Sequence, residues 1–229
     1  MAKVISNEYL GENMYILKVS GIFKGKMGQF YMLRAWENYP LLSRPISIHD
    51  IGEDYISFLY KVVGKGTKIL SELKPFDEIK LEGPYGNGFK EVDGKIALVG
   101  GGIGIAPLYL AAKTLKNVDV YMGFRKKAVL EDKFKKYSNE VNITVGRNIT
   151  DILDVNKYDY ILTCGPEIMM KKIVAMAKGT NTKVYVSIEN KMACGVGACL
   201  VCTCKTKQGN KKTCKDGPVF LGEEVLFDE

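Results

Sequence analysis

The stretch Lys95-Ile96-Ala97-Leu98-Val99-Gly100-Gly101-Gly102-Ile103-Gly104-Ile105-Ala106-Pro107 passes from a short apolar run through a glycine-rich turn into a helical pattern. Residues 95–99 carry no polar side chain after Lys95, as a strand buried on both faces requires. Helical spacing follows over 106–116. Strands are then predicted at 118–123, 141–145, 158–163 and 183–188, with helices at 130–137 and 168–178. Parallel neighbours need long crossover connections, usually helical, so this alternation predicts a parallel sheet with covering helices. The strand at 183–188 is predicted to be its last.

Upstream the rhythm differs. Short β-like runs at 14–20, 29–35, 55–63 and 78–82 are separated by Gly21, Gly28, Gly52-Glu53-Asp54 and Pro75-Phe76-Asp77. Short strands with regular turn signals predict an antiparallel barrel or sandwich. Downstream of 188 the chain carries a cysteine cluster and little apolar pattern. So small a segment builds little core, and bound metal is expected to supply the missing stability. The predicted division is 1–92, 93–188 and 189–229.

Hydrophobic residues make up 46% and charged residues 26% of the 229, as in an ordinary globular protein. No run approaches the ~20 apolar residues that span a bilayer. The N-terminal residues 1–8 lack the apolar core of a secretory signal, so a cytoplasmic chain with no membrane contact is expected. The net charge of +7 is mostly diffuse, with small clusters at Arg125-Lys126-Lys127 and Lys211-Lys212. No RNP motif, helix-turn-helix signature or aromatic–basic stripe accompanies it, so nucleic acid is not an expected partner.

Five of the six cysteines fall between 194 and 214. A reducing compartment disfavours disulfides, and such tight spacing points to ligation. Cys194, Cys199 and Cys202 have the C-x4-C-x2-C spacing of plant-type [2Fe–2S] ferredoxins, and Cys214 follows after eleven residues as the fourth ligand. Gly195 and Gly197 let the backbone turn closely and leave amides free for anionic sulfurs. A structural zinc site and buried free thiols are the alternatives. Zinc commonly uses paired C-x2-C knuckles, whereas here Cys214 has no partner two to four residues away. Cys204 stands outside the ligand pattern, and Cys164 ends a predicted strand, either packed or facing a cofactor.

Two nucleotide-type motifs accompany the cysteines. The turn at 100–107 can bind a pyrophosphate through backbone amides, although it is not a G-x-G-x-x-G fingerprint: the third glycine would fall at Pro107. Arg125, not an acidic residue, follows the next strand, so the usual marker for a ribose 2′-hydroxyl is missing and NAD is not separated from NADP. Arg44-Pro45-Ile46-Ser47 offers a bidentate fork to a phosphate, and Gly64-Lys65-Gly66-Thr67 offers further donors; alone, each tetrapeptide also reads as an ordinary turn.

The order RPIS (44–47), GKGT (64–67), GPYGNGF (83–89), GGGIGIAP (100–107), TCGPEIMMK (163–171), CGVGACLVC (194–202) and CKDGPVF (214–220) resembles the ferredoxin-reductase superfamily. More narrowly, it resembles the electron-transfer subunits of type B dihydroorotate dehydrogenase, over essentially the whole chain. The resemblance implies an antiparallel FAD-binding β-barrel, an α/β parallel-sheet NAD-binding domain and a small C-terminal [2Fe–2S] segment. It implies that Arg44, Pro45, Ile46 and Ser47 hold FAD, with Leu59, Tyr60 and Lys61 along the flavin and Gly66 and Thr67 at its pyrophosphate. Gly101, Gly102, Gly104, Cys164, Gly165 and Pro166 would face the nicotinamide nucleotide, and the four cysteines would carry the cluster. The gap before Cys214 is short for the family, which implies a trimmed loop at 206–212.

The implied oxidoreductase activity passes electrons from a partner's FMN through the cluster and FAD to NAD+ as substrate, in pyrimidine biosynthesis. No catalytic nucleophile or acid–base pair is expected, and the lone histidine, His49, reads as a loop residue. The dihydroorotate-oxidising, FMN-containing subunit would be a separate chain, in a heterotetramer of two chains of each kind. The nearest rival is the flavoprotein subunit of an NADH-dependent ferredoxin:NADP oxidoreductase, whose first cluster ligand is typically Asp where Cys194 stands here. A rival from another class is a zinc-stapled nucleotide-binding module with a scaffolding role.

Overall fold

In the computed structural model, which describes residues 1–227, the N-terminal part is a seven-stranded antiparallel sheet. Its strands are β1 (Ala2–Gly11), β2 (Met14–Ser20), β3 (Phe30–Arg34), β4 (Arg44–Ser47), β5 (Asp50–Ile51), β6 (Tyr55–Lys61) and β7 (Glu78–Tyr85), with α1 (Lys65–Glu72) between the last two. The spatial order is β4-β3-β7-β1-β2-β6-β5. Its two edge strands, β4 and β5, are separated in the chain by only Ile48 and His49. The Ile48 N–H donates to Gln29 beside β3, and the His49 N–H donates to Ser57 in β6. These bonds curl the sheet into a barrel, which removes its open edges. Leu17, Val19, Leu33, Ile48, Ile56 and Phe58 fill it and are fully buried.

Two elements here escape the sequence pattern. β1 has no clean alternation, because its pairing with β2 shifts register between Val4 and Ser6 and again between Tyr9 and Gly11. The 64–67 run is a helix start and not merely a turn: Gly64 caps α1, and its carbonyl accepts from the Lys68 N–H.

The second sheet holds β8 (Ile96–Gly101), β9 (Val118–Phe124), β10 (Glu140–Val145), β11 (Tyr160–Cys164) and β12 (Lys183–Ser187), all parallel, with α2 (Leu108–Thr114), α3 (Glu131–Lys135) and α4 (Glu167–Ala177) as crossovers. The order of these five strands is β10-β9-β8-β11-β12. The chain runs outward from β8 to β10, then returns to the other side of β8 with β11. Strand order therefore reverses between β8 and β11, where open α/β sheets bind ligands outside the carboxyl ends of their strands.

The expectation that this sheet ends at 183–188 needs correction. Downstream, β13 (Thr203–Thr206) and β14 (Gly209–Lys212) make a hairpin, and β15 (Val219–Leu221) adds antiparallel to β12. Three residues are too few to show periodicity, yet Phe220 is buried and joins Cys204 and Val225 in the core of the α/β part. The C-terminal segment thus borrows a core it cannot build alone.

Barrel and α/β part share one hydrophobic core, from Leu17 and Phe58 through Leu98 and Tyr109 to Phe134. His49 sits at this seam, 1% exposed. Its ring stacks on Tyr109 at 4.6 Å, and Nδ1 lies 3.0 Å from the Ala106 carbonyl. Beside it, Asp50 pairs with Lys113 at 2.5 Å and accepts from the Tyr55 hydroxyl at 2.8 Å. Burial pushes the His49 imidazole down to about 4. Its folded value lies below its unfolded value of 6.5, so the stabilisation is present above pH 6.5 and is lost as pH falls towards 4. The full loss is about 3 kcal/mol. His49→Phe keeps the stack but takes up no proton; between those pH values its denaturant midpoint will fall less steeply than that of wild type, and equal slopes would refute this role.

Candidate functional site

A cleft of about 300 Å³ opens on the barrel where it meets the second sheet. Arg44, Pro45, Ile46 and Ser47 line it from β4, Leu59, Tyr60 and Lys61 from the end of β6, and Thr67 from α1. Gly66 does not line it but makes room for it: a Cβ there would run into the Arg44 guanidinium. That guanidinium lies 5.4 Å from the Trp36 ring and donates to the Leu42 carbonyl, so it is held over the start of α1. The Thr67 hydroxyl is spent on the turn, donating to Gly64 O at 3.0 Å and accepting from the N–H groups of Val63 and Gly64. What α1 offers an anion is therefore its first backbone N–H groups, which have no intrahelical acceptor. Arg44→Ala removes the bidentate donor; FAD retention should weaken about tenfold or more, and unchanged flavin content after gel filtration would contradict this.

A larger cleft, about 1080 Å³, lies at the carboxyl ends of the parallel strands. Gly101, Gly102, Gly165 and Pro166 line it; Gly104 and Cys164 stand behind it. A Cβ on Gly165 would come within 2.8 Å of the Gly101 nitrogen. Gly104 is just as constrained, packed on the Cys164 carbonyl. These glycines let the two turns of the switch point touch. The Cys164 thiol is buried 3.8 Å from a Glu189 carboxylate oxygen, and burial pushes both groups up.

The clefts share a wall formed by Lys61, Ile103, Ile188, Glu189 and Asn190. Ile188, Glu189 and Asn190 were not anticipated, although their place directly after the last parallel strand, opposite the glycine turn, was a usable signal. Met192 also lines the smaller cleft and packs with Phe30, Met32, Cys202 and Cys214. The cysteine loop thus lies against the far side of the barrel cleft.

Within that loop the thiols meet two by two. Cys194 Sγ contacts Cys199, and Cys214 Sγ contacts Cys202. Backbone N–H groups of Cys199, Val196 and Ala198 point at Cys194 Sγ and hold its thiol down to about 6. Burial pushes Cys214 up to about 12. Gly195 and Gly197, at φ of 72° and 82°, supply the left-handed turns that aim those amides. Cys214 also feels the charge of Cys194 and the Gly197 amide, so the two pairs form one group. Four thiols under inward-pointing amides suit a four-cysteine [2Fe–2S] cluster. Cys204 lies outside both pairs, on β13, in the α/β core.

A barrel with an arginine-lined cleft, a switch-point cleft and a four-thiol loop, arranged in contact, define a ferredoxin-reductase-like electron-transfer protein. Residues 189–226 match the family model for the iron–sulfur cluster binding domain of dihydroorotate dehydrogenase B. The chain is 52% identical to the dihydroorotate dehydrogenase B (NAD(+)) electron transfer subunit of Clostridium acetobutylicum, covering 99% of this chain and 97% of that one. It is 46% identical to the Clostridium perfringens subunit of the same name, covering 98% and 97%. The solved structure of an NADH-dependent reduced ferredoxin-NADP oxidoreductase superposes with a TM-score of 0.91 at 31% identity, covering 100% of this chain and 90% of that one. The chain belongs to the family of dihydroorotate dehydrogenase B electron transfer subunits. It is an electron-transfer subunit of an oxidoreductase, and that membership implies a catalytic partner. The family and the reductase fold support an iron–sulfur cluster, FAD and NAD as its cofactors. The higher identity to these subunits favours them over the oxidoreductase rival.

Proposed function

We propose that the chain relays electrons between the FMN of a dihydroorotate-oxidising partner and NAD+, with three sites in series. Residues 1–92 hold FAD through Arg44, Pro45, Ile46, Ser47, Leu59, Tyr60, Lys61, Gly66 and Thr67. Residues 93–188 receive the nicotinamide nucleotide at the switch point, where Gly101, Gly102, Gly165 and Pro166 face it and Gly104 and Cys164 support them. Residues 189–229, of which the last two lie outside the described residues, hold the [2Fe–2S] cluster through Cys194, Cys199, Cys202 and Cys214. Bound there, the cluster supplies one-electron carriage, and the flavin supplies the junction between one-electron and hydride chemistry.

The observation that carries this reading is contiguity. Lys61 and Glu189 lie in the wall between the nucleotide and barrel clefts, and Phe30 and Met192 lie between the barrel cleft and the thiols. The protein's own part is to hold the groups in this order and to keep water from the buried thiols of Cys202 and Cys214. On the open side of the loop, Val196, Leu200 and Val201 are each more than half exposed beside exposed Cys199. An apolar patch at the end of such a series suits docking of the FMN subunit, as a heterotetramer of two chains of each kind in the cytoplasm. No helix among the described residues is long and apolar enough to cross a membrane. Purification from the native source tests the assignment: an FMN-containing dihydroorotate dehydrogenase should accompany the chain in equal amount. Its consistent absence would overturn the partner.

A further inference from the structure

The far end of the nucleotide cleft departs from what an NAD-only site requires. The wall shared with the flavin cleft fixes where the nicotinamide must lie, and the glycine turns at the ends of β8 and β11 fix the pyrophosphate. The adenosine is then directed to the ends of β9 and β10. In parallel-sheet dinucleotide sites a carboxylate there bonds the ribose 2′-hydroxyl, whereas an arginine accommodates a 2′-phosphate.

Here β9 runs into Arg125-Lys126-Lys127 and β10 into Gly146-Arg147-Asn148, all six lining the cleft. The two strand ends are held side by side, with the Gly146 N–H donating to the Phe124 carbonyl at 2.9 Å. A Cβ on Gly146, at φ 72°, would lie 3.9 Å from the Arg125 carbonyl oxygen, so the two arginines leave adjacent strand ends. Among the described residues, neither makes an ion pair that would occupy its guanidinium. A second observation is independent of charge. Thr150, on the short helical turn after β10, lines the same end; its hydroxyl is buried and has no hydrogen-bond partner within the protein. Of the carboxylates of this cleft, Glu189 lies on the shared wall and Glu167 at the start of α4; Glu12 lies on the β1–β2 turn, where a Cβ on neighbouring Gly11 would come 3.8 Å from the Lys127 side chain, and among the described residues it pairs with neither arginine.

We propose that this corner takes a ribose 2′-phosphate through Arg125 and Arg147, so that the chain accepts the phosphorylated nicotinamide nucleotide, NADP(H), as well as NAD(H). The inference rests on the reading of this cleft as the nucleotide site. Planar guanidinium groups bind phosphate bidentately, and flanking lysines add charge but no fixed geometry.

Calorimetric titration of the intact flavin- and cluster-loaded protein with 2′,5′-ADP and with 5′-ADP, at low ionic strength, separates the possibilities. The 2′-phosphorylated probe should bind tighter by roughly tenfold or more, and added salt should erode that advantage by screening. In the double variant Arg125→Ala, Arg147→Ala the ratio of the two affinities should fall to within about twofold, and because a ratio is read, a general weakening cancels. Equal or tighter binding of 5′-ADP by the wild type would overturn the 2′-phosphate corner while leaving the nucleotide cleft intact, as would a ratio unchanged in the double variant. Failure of both probes to bind would overturn the cleft reading itself.

Discussion

Cys202→Ser and Cys214→Ser will each strip the protein of iron while leaving FAD largely in place, and electron delivery from a partner to NAD+ will fall by more than roughly 100-fold. Loss of an outer-shell contact to a metal ligand already costs up to about 100-fold, and here a ligand itself is removed. These two thiols are 2% exposed and meet each other beneath Phe30 and Met32. A hydroxyl there is a poor iron ligand, and the remaining thiols cannot swing in, because Cys194 is fixed by the amides of the 195–199 turn. The flavin should survive because Arg44 and the start of α1 lie on the other side of the barrel cleft from the thiols. Cys204→Ser is the control. Its side chain packs in the α/β core, so iron content should match wild type. Iron and acid-labile sulfide assays on the three variants decide the matter; equal iron loss in Cys204→Ser would refute the ligand set.

Gly104→Ala will impair the nucleotide site nearly as severely by a steric route. A Cβ at 104 would sit 2.5 Å from both the Cys164 carbonyl carbon and the Gly165 Cα, and backbone atoms cannot rotate aside as a side chain can. The turns at the ends of β8 and β11 must then separate. Overpacking of this kind costs about 2–3 kcal/mol of stability. A misplacement of about 1 Å between reacting groups costs ~100-fold in rate, so NADH-driven bleaching of the flavin should slow by that order. Gly102→Ala offers a sharp contrast. Gly102 has φ 55°, with no protein atom within 4 Å of its added Cβ, so its cost to folding is only the local conformational one of about 1–2 kcal/mol, although that Cβ would face the nucleotide. Melting temperature will rank Gly104→Ala well below Gly102→Ala; the reverse order would show that the close approach of the two turns is not what holds this part of the fold together.

The contrast between these glycines marks what was legible in the sequence. The apolar run at 95–99 with its glycine turn carried the parallel sheet, and the cysteine spacing singled out the four thiols proposed as ligands, because both depend on neighbours in the chain. What depends on distant partners was hidden. β15 is three residues long and exists because β12 offers it an edge. Glu189 reaches both clefts only after the two parts of the fold have packed. The Thr67 hydroxyl looked free for a phosphate, but the turn consumes it. His49 looked like a loop residue, and in chain position it is one, yet barrel closure buries it at the seam with Tyr109 and Ala106.

Central to this account is one path running from nucleotide through flavin to the four-thiol loop. Anaerobic titration of the purified chain with NADH, followed by absorption and electron paramagnetic resonance, tests it most directly. The account predicts flavin and iron–sulfur absorption in the resting protein, then bleaching of both and growth of a reduced-cluster signal that is missing from Cys202→Ser. A colourless, zinc-containing protein, or one whose flavin bleaches while its iron–sulfur centre stays oxidised against excess NADH and dithionite alike, would contradict it.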